Sequence, residues 1–187
     1  MIQEIYQKAM KYAGEQHKDQ KVPGLESNYL LHLSNVAMEV IMAYNSSPSF
    51  DLRYAIQLAI LHDTIEDTNS TYNEISELFG EEVAEGVQAL TKNESLQTKE
   101  DQMLDSLNRI KKKKDEVGLV KLADRITNLQ KPPKHWPNEK VIEYAIEAKL
   151  ISERLAKKNK YLNERIELKI QEYERYAKEE EYPGNDD

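Results

Sequence analysis

The octet Leu61-His62-Asp63-Thr64-Ile65-Glu66-Asp67-Thr68 gathers an imidazole and three carboxylates directly after the apolar run 55–61. Acidic side chains seldom sit in a buried segment unless something compensates their charge. Here the density of ligand-type groups at the end of a core-like helix points to a metal ion. Helical neighbours point about 100° apart, so His62 and Asp63 can grip one ion lying between them. Glu66, at i+4 from His62 and i+3 from Asp63, returns to the same side of a helix. On that reading the chain is an enzyme and the octet belongs to its active site.

Two distant residues could complete such a site. His32 stands among Tyr29, Leu30, Leu31, Leu33 and Val36, and Asp124 interrupts the apolar residues Val120, Leu122, Ala123, Ile126 and Leu129. Lys121 at i−3 and Asn128 at i+4 share the face of Asp124. Each also has a plainer role: His32 as a hydrogen-bonded core residue, Asp124 as half of an ion pair with Arg125, His62-Asp63 as polar residues at a helix end. Spacing alone does not bring distant positions together. Mixed imidazole and carboxylate inside otherwise apolar helices nevertheless favours a metal site.

The elements that must position these groups read as helix after helix. Ile5, Ala9, Tyr12 and Ala13 recur at helical spacing and predict a first helix ending near Lys18, followed by a loop over 19–28 with Pro23-Gly24. A second helix is expected over 29–44, broken by Asn45-Ser46-Ser47-Pro48. Asp51 is the expected N-cap of a third, which carries the octet at its C-terminal end. Short helices follow over 71–79, closed by Gly80, and over 82–90. Further helices span 98–113 and 117–129, with Lys111 to Lys114 as a solvated helix end. Lys131-Pro132-Pro133 stops the chain, and two more helices run from Asn138 to about Lys178. The expectation is one all-α domain of eight to ten helices, without a sheet or an internal repeat, and a disordered acidic tail over 179–187.

Composition narrows the function. The formal net charge of −8 disfavours a general partner of polymeric nucleic acid. No window approaches the roughly 18 apolar residues that span a bilayer, and the start of the sequence lacks the basic and apolar regions of a secretory signal. Cysteine is absent, which removes disulfides and thiolate ligands and fits a cytoplasmic location.

The pattern His32, His62-Asp63 and Asp124 resembles the H…HD…D signature of the HD-domain metal-dependent phosphohydrolases. The blocks 62–68, Phe79-Gly80-Glu81-Glu82-Val83-Ala84, Leu90-Thr91-Lys92 and Lys121-Leu122-Ala123-Asp124-Arg125 resemble, in that order, the hydrolase domain of RelA/SpoT-type proteins and stand-alone small alarmone hydrolases. The resemblance covers roughly residues 5 to 160. It implies a single HD-type helical bundle over 1–178 around one divalent ion, Mn²⁺ by preference, held by His32, His62, Asp63 and Asp124. It further implies that Glu66 and Asp67 orient or deprotonate a metal-activated water that attacks phosphorus; helix-end capping is their plainer role. Lys121, Arg125, Asn128, Lys92 and Tyr144 are the implied substrate contacts. Lys121 is equally read as neutralising Asp124 and Lys92 as a solvated lysine, while for Tyr144 the core role is the favoured one. The implied substrate is a small phosphorylated nucleotide, in the first place a guanosine 3′,5′-bis(diphosphate) losing its 3′-pyrophosphate. Another nucleotide or phosphorylated cofactor is the alternative, and a non-catalytic nucleotide-sensing module the second.

The chain departs from that family in two loops. After His17-Lys18-Asp19-Gln20 comes Lys21-Val22-Pro23, without the Arg that packs on the substrate base in alarmone hydrolases. The segment Lys131-Pro132-Pro133-Lys134-His135-Trp136-Pro137 is distinctive. Trp136 is expected to cap the core there, with stacking on a base as its alternative, and His135 is expected to be a loop residue.

Overall fold

Helix α8, Asp115–Asn128, is buried along nearly its whole length, and six other helices pack against it. A helix apolar on all sides belongs in the centre of a bundle. The computed structural model describes residues 1–179, with side chains through Ala177. The others are α1 (Ile2–Gln16), α2 (Leu30–Ser46), α3 (Leu52–Leu61), α4 (Thr64–Asp67), α5 (Tyr72–Phe79), α6 (Glu81–Leu90), α7 (Lys99–Ile110), α9 (Asn138–Leu155) and α10 (Lys160–Glu179). Of these, α2, α3, α6, α7, α9 and α10 pack on α8, while α1, α4 and α5 pack on those neighbours. Among the described residues there is no strand, only an isolated bridge between Lys21 and Asn28. The architecture is all-α, as the periodicity implies, and no described helix is long and apolar enough to cross a membrane. The tail expected over 179–187 lies outside the described residues apart from Glu179, which ends α10.

Local chemistry explains most boundaries. Asp51 accepts hydrogen bonds from the amides of Arg53 and Tyr54 at 2.9 and 3.3 Å, and its own amide donates to Glu116 Oε1 at 2.8 Å. The residue that starts α3 therefore also fastens α3 to the first turn of α8. Thr71 and Glu74 form a reciprocal capping box on α5. Gly80 ends that helix at φ +100°, a backbone region that disfavours side chains with a Cβ. The expected solvated lysine cluster is partly engaged: Lys113 and Lys114 pair with Glu85 and Glu82 of α6.

The octet departs from expectation. Helix α3 stops at Leu61, His62-Asp63 form a turn, and α4 is a separate single turn. The Thr64 hydroxyl donates to Leu61 O at 2.6 Å, taking a carbonyl that a continued helix would have used. The motif thus sits on a corner between two helices, and side-chain directions inferred from one continuous helix do not carry across it.

Leu58, Ile60 and Leu61 of α3 and Leu119 and Leu122 of α8 are fully buried, and the two helices pack on one another. Leu122→Ala is expected to lower stability by about 2–5 kcal/mol through a cavity in the core. Asp51→Ala, which removes only a cap, should cost about 1 kcal/mol. Urea unfolding of both variants checks the contrast, and equal losses would contradict it.

Candidate metal centre

Three helices bring their polar residues to one buried point. His32 comes from the first turn of α2, His62 and Asp63 from the corner after α3, and Asp124 from the middle of α8. The two Nε2 atoms lie 3.3 Å apart. His32 Nε2 is 3.5 Å from Asp124 Oδ1 and 3.7 Å from Asp63 Oδ2. His62 Nε2 is 2.9 Å from Asp63 Oδ2 and 3.8 Å from Asp124 Oδ1. Candidate ligand atoms of His32, His62 and Asp124 all fall within 4.8 Å of one another. Asp63 meets both imidazoles from the more open side.

A surrounding layer holds each group in place. His62 Nδ1 lies 2.9 Å from the Ala59 carbonyl, which can only accept, so Nδ1 carries a proton and Nε2 is the ring atom that faces the cluster. Tyr29 donates its hydroxyl to Asp63 Oδ2 at 2.5 Å. Lys121 Nζ donates to Asp124 Oδ2 at 3.0 Å and Asn128 Nδ2 to Oδ1 at 2.6 Å, as the i−3 and i+4 spacing implies. This set of two nitrogens and two carboxylates, pre-oriented by outer partners, fits a hard-to-borderline divalent cation.

The electrostatics agree. Burial alone would raise the Asp124 carboxyl, but Lys121 and His62 outweigh it and hold the group well below the usual carboxylate range. Asp63 is likewise lowered, because the His62 charge overcomes burial. Burial and then the His62 charge depress His32. Burial would depress His62 too, yet Asp63 and the bonds to Asp124 and Asp63 prevail and raise it well above an ordinary imidazole. Two lowered carboxylates thus converge on both imidazoles, with Lys121 donating to Asp124 from the same helix. Burial and then the Asp63 charge push the Tyr29 phenol up, so it remains a donor.

Glu66 and Asp67 stand one turn further on. Both Glu66 oxygens are engaged by Lys92, whose amide and Nζ each donate at 2.8 Å. This pairing replaces the return to the His62 side expected from continuous helical spacing. Asp67 accepts from Gln20 Nε2 at 2.8 Å, and partial burial followed by the Asp63 charge raises its carboxyl.

Beside the cluster opens a cavity of about 770 Å³, whose walls include Glu66, Lys92, Arg125, Asn128, Trp136 and Tyr144. Arg125 is 5% exposed, binds Glu147 through Nη2 and lies 4.2 Å above the Tyr144 ring, while its Nε and Nη1 make no hydrogen bond among the described residues. Buried donors without partners are costly in a finished core and suit a place where an anion arrives. Trp136 packs edge-on to Tyr144 at 5.6 Å and also lines the cavity. His135 is exposed, and Lys21 pairs with Glu26 away from these walls. The sequence reading left out Tyr29, Gln20 and His17 as parts of the site. Tyr29 carried a signal, since it stands at i−3 from His32; His17 and Gln20 carried one in the segment His17-Lys18-Asp19-Gln20, which resembles the His-x-x-Gln segment of alarmone hydrolases but was read only for the Arg missing after it.

The sequence profile of the family described as HD domain matches residues 9–160. A guanosine-3′,5′-bis(diphosphate) 3′-pyrophosphohydrolase of Aquifex aeolicus is 36% identical over 129 residues, which cover 68% of this chain but 18% of that longer protein. The protein of the same activity named MESH1 in Danio rerio is 31% identical over 161 residues, covering 83% of this chain and 87% of that one. A solved structure described as a metazoan ortholog of SpoT that hydrolyses ppGpp superposes with a TM-score of 0.75 at 26% identity, over 91% of this chain and 94% of that one.

Asp63 and Asp124 have carboxyls lower in the folded protein than in the unfolded chain. They therefore add stability that is complete above the unfolded carboxylate range and is lost as the pH falls through it toward their folded values. Metal-free protein is expected to weaken on acidification below about pH 4. Asp124→Asn should flatten this acid limb in urea titrations across pH, and an unchanged limb would contradict the assignment.

Proposed function

This chain belongs to the HD domain family, and on that premise we propose that it is a metal-dependent phosphohydrolase acting on a guanosine 3′,5′-bis(diphosphate)-type nucleotide, from which it releases the 3′-pyrophosphate. The observation that carries this reading is the buried His–carboxylate cluster, whose neighbours Glu66, Arg125 and Asn128 line a cavity where two arginine donors make no hydrogen bond among the described residues. The names of the similar proteins supply the substrate class. The hydrolase domain is placed at residues 1–178, and its location in the cytoplasm, in keeping with a sequence free of cysteine.

His32, His62, Asp63 and Asp124 would hold one divalent ion, with Mn²⁺ favoured by a donor set of imidazole nitrogen and carboxylate oxygen without thiolate. When bound, the ion polarises water for attack and neutralises charge on the phosphoryl group. Glu66 and Asp67 orient the attacking water and take its proton; the raised Asp67 carboxyl suits proton acceptance. The water oxygen bonds to the 3′-phosphorus, the ester bond to the 3′-oxygen breaks, and pyrophosphate leaves. Arg125 offers Nε and Nη1 to a phosphate, and Lys92 and Asn128 stand in the same wall. Tyr144 braces the guanidinium. Lys121 holds Asp124 in place for the ion.

A second reading, hydrolysis of another nucleotide or a phosphorylated cofactor, is favoured by the absence near Lys21 of the Arg that alarmone hydrolases carry, Lys21 itself being spent on Glu26. Incubation of Mn²⁺-supplemented protein with guanosine 3′,5′-bis(diphosphate), with products resolved by mass, is expected to show pyrophosphate. Orthophosphate from a different nucleotide would instead establish the second reading, and binding without turnover of any nucleotide a sensing module.

His62→Ala and Asp124→Ala are expected to lose bound metal in elemental analysis, and retention of full metal would remove the ligand assignment. Glu66→Gln should keep the metal while kcat falls by about 10²–10⁴-fold. Unchanged turnover would leave Glu66 as a partner of Lys92 only.

A further inference from the structure

His17 is a buried titratable residue without a part in the reaction as described. It is 1% exposed, its ring stacks on Tyr29 at a centroid distance of 5.0 Å, and its Nε2 makes no hydrogen bond among the described residues. Its Nδ1 contacts Gln20 Oε1, and Gln20 Nε2 in turn contacts Asp67 Oδ2 at 2.8 Å. A carboxylate can only accept, so the amide nitrogen of Gln20 must face Asp67. The amide oxygen then faces His17, and an oxygen can only accept there too. The imidazole proton is thereby placed on Nδ1, and the unpartnered Nε2 of the neutral ring holds a lone pair. Asn28 anchors the same loop by donating to the carbonyls of His17 and Lys18 at 3.2 and 3.1 Å.

A buried ring nitrogen left without a partner calls for a reason, because an apolar ring would stack on Tyr29 without that cost. The hydrogen bond at the opposite nitrogen supplies one. We infer that His17 and Gln20 are positioning residues: a relay fixed in one tautomer that aims the Asp67 carboxylate at the attacking water. The inference rests on the hydrolase reading proposed above. It makes the loop between α1 and α2 part of the catalytic apparatus, with Tyr29 holding Asp63 and Gln20 holding Asp67 from the same side.

The test uses bis(p-nitrophenyl) phosphate with Mn²⁺, a probe that needs no base recognition. Gln20→Leu is expected to lower kcat about tenfold, the scale of one hydrogen bond to a charged group, with KM and metal content unchanged. In an Asp67→Asn background the same change should have no further effect. His17→Phe, which keeps the stacking ring, should behave like Gln20→Leu, and His17→Asn, which keeps a donor near the Nδ1 position, should recover part of the loss. Independently of turnover, nitrogen NMR of the metal-free protein should show His17 as the Nδ1–H tautomer, moving toward Nε2–H in Gln20→Leu. Equal losses in both Asp67 backgrounds, unchanged kcat in Gln20→Leu, or an Nε2–H ring in the parent protein would overturn the inference. A parent protein that hydrolyses neither this probe nor any nucleotide would overturn the hydrolytic reading and with it the relay's purpose, while the ring tautomer separately decides its hydrogen bonds.

Discussion

A carboxylate in the middle of the central helix is the constraint around which the rest is arranged. Asp124 is 6% exposed, in a helix covered on all sides. An unpaired charge at such depth would be excluded from a stable fold. Lys121 and Asn128 answer it from the same helix, and the two imidazoles answer it from α2 and from the corner after α3. Each answer dictates a neighbour: α2 must bring His32 against α8, and α3 must end where His62 can turn inward. The packing of α2, α3 and α8 and the chemistry of the centre are consequently one problem with one solution.

The corner after Leu61 shows how local structure serves that solution. A helix continued through the octet would separate His62 and Asp63 by about 100°. The turn, held by the Thr64 hydroxyl, lets Asp63 fold back onto His62 while Glu66 and Asp67 leave in another direction. Glu66 there meets Lys92 and Asp67 meets Gln20. One short segment so divides its acidic groups between a buried cluster and the rim of a cavity.

Much of this was legible in the sequence, for identifiable reasons. Helices announced themselves by apolar spacing, and Asp51 by its type and place. The partners of Asp124 followed from i−3 and i+4 on an element that is helical throughout. His32, His62, Asp63 and Asp124 stood out as polar groups in apolar surroundings, and the resemblance to HD-domain hydrolases put them in one set. The break after Leu61 was hidden because no Gly or Pro marks it; a side-chain hydroxyl does the work. The Lys92–Glu66 and Gln20–Asp67 contacts were hidden because they join segments far apart in the chain through polar groups common on any surface. Trp136 was expected in the core, and it both packs there and faces the cavity, since one aromatic ring has two sides.

The three helices that converge at the centre come from widely separated parts of the chain. The stretch between His62 and Asp124 is about twice as long as that between His32 and His62. Closing a loop of double length costs only about 0.6 kcal/mol more in chain entropy, so the distances in sequence are a small obstacle to assembly. They are a larger matter for disassembly. No excised fragment bearing one or two of these helices holds the full donor set, and fraying of any one of the three segments opens the whole centre. The cluster therefore behaves as a clasp, whose closure reports that the bundle as a whole has formed.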